Sequence, residues 1–298
     1  MRFIKYAGCF FLIMMAINLN GCQVPQKENL PADFLDKDKK TVAVSIVPQA
    51  TFVKAVAGDT VNVVTMIPPG HSPANYEPTP DQMMLLSEAE LYFSIGVPTE
   101  QANILNKAKA LNKKIKVVSL NDEVEKVYPY LMLNEEGQEL KDPHIWLSPK
   151  RVKIMINVLK DSLAEMIPEN AGIYEENAKK YVDELDAADA KIRETLSHSK
   201  QKSFVIYHPS LGYFADEYGL SMLAIEEEGK EATVKKLQQV VDYMKKEKIK
   251  VIFYQEEFDS NQAESIAEEV GGITLKVNPL ASDYIENLIE MANIFAEI

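Results

Sequence analysis

Short apolar runs alternate with helix-like segments from residue 41 to the end of the chain, and this alternation is the feature that most constrains the fold. The apolar runs are rich in β-branched and aromatic side chains, so they predict strands. Strands that alternate with helices form parallel sheets with helices on both faces. The predicted strands are residues 41–47, 61–67, 91–95, 115–120, 203–207, 251–254 and 274–277.

One long segment without strand-like runs divides this pattern. It covers residues 150–197, is charged and helical, and is interrupted at Pro168-Glu169-Asn170. We therefore predict an α/β fold with two lobes, residues 41–148 and 201–298, each a mostly parallel sheet flanked by helices. A helical region of residues 149–200 connects the lobes, whose sizes are ordinary for domains.

The N-terminus resembles a bacterial lipoprotein signal. A basic start at Arg2 and Lys5 precedes an apolar run that is shorter than the ~20 residues of a membrane span and ends in Leu-Asn-Gly-Cys22. We predict a signal peptide of residues 1–21, a lipid on Cys22 and a tether of residues 22–40. The alternative is a plain signal peptide with an incidental cysteine. The lipid would anchor the protein on the extracytoplasmic face of the cell membrane.

Cysteine and charge further limit the function. Cys9 would leave with the signal peptide and Cys22 would carry the lipid, so any metal must be held by nitrogen and oxygen. The formal net charge of the chain is −13. This charge disfavours nucleic acid as a partner and attracts cations.

Three of the four histidines occupy similar positions, each near the end of an apolar run and next to proline or glycine. They are His71, His144 and His208; His144 also stands two residues before the only tryptophan. Loops at strand ends converge in open α/β sheets, so we expect a transition-metal site between the lobes. The alternative is that each is a structural histidine. His198 lies in a charged helical segment and is predicted to be solvated.

Several motifs resemble those of the zinc and manganese substrate-binding lipoproteins of bacterial ABC importers. They occur in order along the whole chain: Pro-Gly before Tyr-Glu-Pro-Thr-Pro at 76–80, Asp-Pro-His-Ile-Trp-Leu-Ser-Pro at 142–149, His-Pro at 208–209, and Asn-Pro-Leu at 278–280. The resemblance implies two lobes joined by one long rigid helix, with the metal in the cleft between them. It also implies a partner permease in the membrane.

Mapped onto this sequence, the resemblance implies that His144 and His208 are metal ligands. The family's first histidine falls on Ala74, whereas His71 lies three residues upstream. Three residues of chain span at most ~10 Å, so we predict that His71 replaces the missing ligand. A three-histidine site favours zinc, and a site with more oxygen ligands would favour Mn²⁺ or Fe²⁺.

We predict that an oxygen donor fills the remaining ligand position. The family's acidic fourth ligand falls on Asn278, whose amide oxygen binds a divalent ion more weakly than a carboxylate does. Glu256, in the acidic run after the strand 251–254, or a water molecule is the alternative. Residues 226–228 form a second acidic run that could supply oxygen. Both runs could instead be solvated surface.

We therefore predict a monomeric binding protein that captures a divalent metal, zinc first, and delivers it to an ABC importer. A metal-dependent hydrolase is one alternative, because three histidines and an open position also suit zinc catalysis. Against it, the sequence contains no His-Glu-x-x-His motif. A lipoprotein adhesin of the same fold is the other alternative. Zinc is the predicted cargo, and no catalytic residue is assigned.

Overall fold

A computed structural model describes residues 35–135, 138–226, 231–258 and 260–298. The predicted signal peptide, Cys22 and the tether up to residue 34 lie outside this range. Within these described ranges, every helix is too short or too polar to cross a lipid bilayer.

The first lobe is built on a four-stranded parallel sheet with the strand order β2-β1-β3-β4. The central strand β1 is buried except at its first residue, which explains its nearly continuous apolar sequence. The capping box of Thr79 and Gln82 starts the second helix of the lobe. The elements are β1 (Lys40–Val44), α1 (Val47–Ala57), β2 (Val61–Thr65), α2 (Pro80–Ser87), β3 (Leu91–Ser94), α3 (Leu105–Leu111), β4 (Lys116–Ser119) and α4 (Leu120–Glu125).

Two helices connect the lobes. Between α4 and these helices lies an antiparallel hairpin of β5 (Met132–Glu135) and β6 (Gln138–Lys141), a segment for which the sequence predicts no strand. Helix α5 (Pro149–Met166) begins at Ser148, whose hydroxyl accepts a hydrogen bond from the Arg151 amide. A short 3-10 turn at Pro168–Asn170 then leads into α6 (Ala171–Ser197). The predicted interruption is therefore real, and the connection is two packed helices.

The second lobe repeats the architecture of the first, with a four-stranded parallel sheet in the order β10-β9-β7-β8. These two parallel sheets confirm the predicted fold class. The sequence does not predict strand β8. The elements are β7 (Ser203–Ile206), α7 (Gly212–Tyr218), β8 (Ser221–Ala224), α8 (Val234–Glu247), β9 (Val251–Tyr254), α9 (Asn261–Glu269), β10 (Ile273–Lys276) and α10 (Tyr284–Glu297).

The largest of three buried apolar clusters in the described residues runs from the first sheet through α5 and α6 to the second sheet. Phe93 of β3, Leu159 of α5, Leu185 of α6 and Phe253 of β9 all belong to it and are fully buried. Because the connecting helices share this core with both sheets, they brace the lobes against each other. The predicted domain limits at residues 148 and 200 stay predictions, although neither sheet has a strand between them.

Candidate metal centre

His144 and His208 reach the same point from opposite sides of the cleft. His144 lies just before the 3-10 turn Ile145–Leu147 that leads into α5, and His208 follows the carboxyl end of β7. Their Nε2 atoms are 3.2 Å apart, and the two rings are inclined by 74°. Two nitrogens bound to one tetrahedral zinc ion at 2.0–2.1 Å lie about 3.3 Å apart. The observed spacing therefore matches two ligands of one zinc ion.

Each imidazole has a buried carboxylate behind it. Nδ1 of His144 lies 2.8 Å from Oδ1 of Asp142, and Nδ1 of His208 lies 2.7 Å from Oε1 of Glu226. Both carboxylates are almost completely buried. A carboxylate that accepts from Nδ1 fixes the proton there and leaves the Nε2 lone pair free for a metal. The arrangement therefore presents two oriented, basic nitrogen ligands.

Burial also favours the ligating form of His208. It lowers the pKa of this imidazole, while the hydrogen bond with Glu226 acts in the opposite direction. The lowered pKa favours the neutral imidazole, which is the form that can bind a metal ion.

The histidines border a cavity of about 460 Å³ between the lobes. Its lining is largely apolar. Phe258 stacks on His208 with the ring centroids 4.4 Å apart, and Trp146 lies edge-on to His144 at 5.2 Å. These aromatic rings exclude water from one side of each imidazole, which strengthens electrostatic interactions at the site. The wall also includes Ser72, Pro73, Ala74, Gly96, Val97, Pro98, Pro209, Ser210, Gln255, Glu257, Pro279 and Leu280.

The structure does not bring His71 to this pair. His71 is exposed and packs against Tyr76, with the ring centroids 4.8 Å apart, whereas Ala74 lines the cavity. The offset of three residues places the imidazole outside the cavity wall. In the part of the chain that the structure describes, no three acidic, histidine or cysteine side chains form a group that could hold a metal. Ligation by His71 therefore stays a prediction and requires this loop to move.

Neither of the two predicted oxygen ligands is among the residues that line the cavity. Glu256 is exposed and forms an ion pair with Lys276, and it is its neighbour Glu257 that lines the cavity. The side-chain oxygen of Asn278 accepts a hydrogen bond from the Leu280 amide at 3.1 Å, which stabilises its own turn. The assignments of Glu256 and Asn278 stay predictions.

Sequence reasoning missed the roles of Asp142 and Glu226. Glu226 is the first residue of one of the acidic runs that could supply a metal ligand, but its carboxylate is hydrogen-bonded to Nδ1 of His208. Asp142 could have been found from its spacing, because an aspartate commonly accepts a hydrogen bond from the amide two residues later. Its Oδ1 accepts from the His144 amide at 2.9 Å.

The chain matches a protein family and is similar to several known proteins. Residues 42–298 match the family model described as zinc-uptake complex component A, periplasmic. The zinc-binding lipoprotein AdcA of Streptococcus pneumoniae serotype 4 is 32% identical over 258 residues, covering 82% of this chain and 50% of AdcA. The high-affinity zinc uptake system protein ZnuA of Bacillus subtilis is 28% identical, covering 82% of this chain and 79% of that protein. The chain spans about half the length of the AdcA relatives it matches.

Two solved structures are similar over most of the chain. A crystal structure of ZnuA has a TM-score of 0.81 and 35% identity, covering 87% of this chain and 99% of that one. A zinc-bound ZnuA mutant lacking residues 138–173 of its own sequence has a TM-score of 0.80 and 35% identity, covering 87% and 97%. Both are similar to this chain in sequence as well as in fold.

Proposed function

The chain belongs to the family of periplasmic zinc-uptake components, and we propose that it captures a zinc ion outside the cytoplasm and delivers it to an ABC importer. The observation that carries this proposal is the pair of Nε2 atoms 3.2 Å apart, each on an imidazole with a carboxylate at Nδ1. The family consists of binding proteins for metal transport, so we assign no reaction to the chain.

We assign His144 and His208 as two ligands of the transported ion, one from each side of the cleft. Imidazole nitrogen suits zinc better than it suits the harder Mn²⁺ ion. Asp142 and Glu226, at Nδ1 of the two rings, would offset part of the ion's charge. A tetrahedral ion needs two further ligands. Water in the cavity, or His71 after its loop has moved, would supply them. Capture of Mn²⁺ or Fe²⁺ is the alternative if oxygen ligands prevail.

The partners follow from the same proposal. The permease of an ABC importer would receive the ion, and a lipid on Cys22 would keep the binding protein beside it at the membrane. The match to a zinc-binding lipoprotein supports this anchor. A monomer is sufficient, because both histidines come from one chain.

The test is zinc affinity, measured by competition with a chromogenic chelator at pH 7.5. We expect the parent protein to bind one zinc ion per chain. His144→Ala and His208→Ala should each weaken binding at least tenfold, which corresponds to about 1.4 kcal/mol or more. His198→Ala is the matched control, because this exposed histidine caps α6 far from the cavity. Unchanged affinity in either site variant would remove that ligand, and a preference for Mn²⁺ over Zn²⁺ would reassign the cargo.

A further inference from the structure

Gly212, the first residue of α7, lies against the carboxylate that supports His144. A Cβ atom placed on Gly212 would be 2.5 Å from Oδ2 of Asp142 and 3.7 Å from its Cγ. A carbon and an oxygen that are not bonded to each other do not approach so closely. The glycine is therefore required by this carboxylate, and a positive φ angle is not the reason, since Gly212 has none.

Asp142 has no room to retreat from a new methyl group. The residue is fully buried, and its Oδ1 already accepts hydrogen bonds from the amide and Nδ1 of His144. Its backbone is held as well, because its amide donates to the Leu131 carbonyl and its carbonyl accepts from the Tyr213 hydroxyl. Among the described residues, Oδ2 is buried and has no hydrogen-bond donor, so the bonds at Oδ1 and the surrounding packing fix its position. Turning the carboxylate away would break its contact with His144.

We propose that Gly212 is a positioning residue of the metal site. Its missing side chain lets helix α7 of the second lobe accept the Asp142 carboxylate, and this contact holds the His144 ring in the tautomer and orientation that oppose His208. This inference rests on the proposed capture of a metal ion by the two histidines. Helix α7 also follows His208 after a link of three residues. The start of one helix thus lies close to His208 in the chain and against the carboxylate that supports His144.

Gly212→Ala tests this role, with Gly172→Ala as the matched control. Gly172 lies near the start of α6, where an added Cβ meets no atom within 4 Å. We expect Gly212→Ala to weaken zinc binding tenfold to a hundredfold, the usual effect of disturbing a group that orients a metal ligand. Gly172→Ala should stay within twofold of the parent. Parental affinity in Gly212→Ala would overturn the proposal.

A double-mutant cycle shows whether Gly212 acts through Asp142. Asp142→Ala alone removes the carboxylate and should also cost tenfold to a hundredfold in affinity. Adding Gly212→Ala to that variant should cost nothing more, because the methyl group now has space. An equal further loss would mean that the glycine acts on something else. If Gly212→Ala does not fold, the double variant decides: recovered folding supports the proposal, and continued failure refutes it.

A measurement without metal separates this inference from the proposed function. The ¹⁵N shifts of the His144 ring in metal-free protein report which nitrogen carries the proton. We expect the Nδ1–H tautomer in the parent and in Gly172→Ala, and a mixture of tautomers in Gly212→Ala. If the parent shows this pattern but binds no zinc, metal capture is wrong and the positioning role stands. An unchanged tautomer in Gly212→Ala would refute the positioning role even if zinc binds.

Discussion

Replacing Glu100 with glutamine should remove a loss of folding stability that occurs in the parent protein as pH rises. Glu100 is almost completely buried in the first lobe, where its carboxylate accepts hydrogen bonds from the Ser45 hydroxyl and from the amides of Ile95 and Gly96. Burial outweighs these donors and raises the pKa of Glu100 from 4.5 to about 7. The folded protein therefore holds this proton more tightly than the unfolded chain does.

The sign and size of the effect follow from this pKa difference. Below pH 4.5 the carboxyl group is protonated in both states, and its full contribution to stability is present. Between pH 4.5 and 7 the unfolded chain releases the proton while the folded protein keeps it, so the free energy of unfolding falls as pH rises. One pKa unit is worth about 1.4 kcal/mol, so the loss amounts to about 3 kcal/mol. Above pH 7 this loss of unfolding free energy no longer increases.

The assay is urea denaturation of metal-free protein at intervals between pH 4.5 and 8. Glutamine cannot ionise, so we expect the unfolding free energy of Glu100→Gln, relative to the parent, to rise by about 3 kcal/mol across this range. Glu176→Gln, on the exposed face of α6, controls for the loss of one negative charge. A difference that stays constant with pH would show that the donors around Glu100 keep it ionised, and the argument from burial would fail.

Three further predictions concern a metal ligand, a buried hydrogen bond and the lipid anchor. His71→Ala should weaken zinc binding at least tenfold in the chelator competition, because the variant lacks the predicted third ligand; an affinity within twofold of the parent would remove His71 from the site. Trp146→Phe removes the hydrogen bond from the indole to the buried carbonyl of Pro279 and should cost about 1–3 kcal/mol of unfolding free energy. Circular dichroism must follow that unfolding, because Trp146 is the only tryptophan. Cys22→Ala should release the protein from membranes or leave an uncleaved precursor, and membrane fractionation would contradict the lipid anchor if the variant behaved like the parent.

The sequence predicts the sheets because buried parallel strands are locally distinctive. Strand β8 and the β5–β6 hairpin are not predicted, because their own sequences lack such a distinctive pattern. Strand β8 has the sequence Ser-Met-Leu-Ala, which contains no β-branched or aromatic side chain, and it is recognised by its pairing with β7. The hairpin is charged and exposes Met132 and Leu140, so no apolar alternation marks it. In both cases the strand is defined by its partner rather than by its own residues.

The same distinction applies to the site. His144 and His208 can be found from the sequence because rigid neighbours mark them, and each sits where a strand or turn meets the cleft. The positions of Glu256 and Asn278 depend on which way a loop turns, and a difference of one residue moves the carboxylate from the cavity wall to an ion pair with Lys276. The contact of Gly212 with Asp142 joins segments that are 70 residues apart. Only the folded structure shows such a contact.

Hydrogen bonds within the protein hold the two histidines at the spacing of a metal site. These bonds form without a metal ion. The Trp146 indole donates to the Pro279 carbonyl, and the Tyr284 hydroxyl donates to the Trp146 carbonyl, so the His144 segment is fastened to the C-terminal part of the second lobe. The Tyr213 hydroxyl fastens the same segment to α7. The two imidazoles are therefore ordered during folding, so under the proposed function an arriving ion would bind two oriented nitrogens without that entropic cost. Under the proposed function, the remaining ligands, water or His71 after its loop has moved, would set how strongly the protein discriminates between zinc and ions that prefer oxygen.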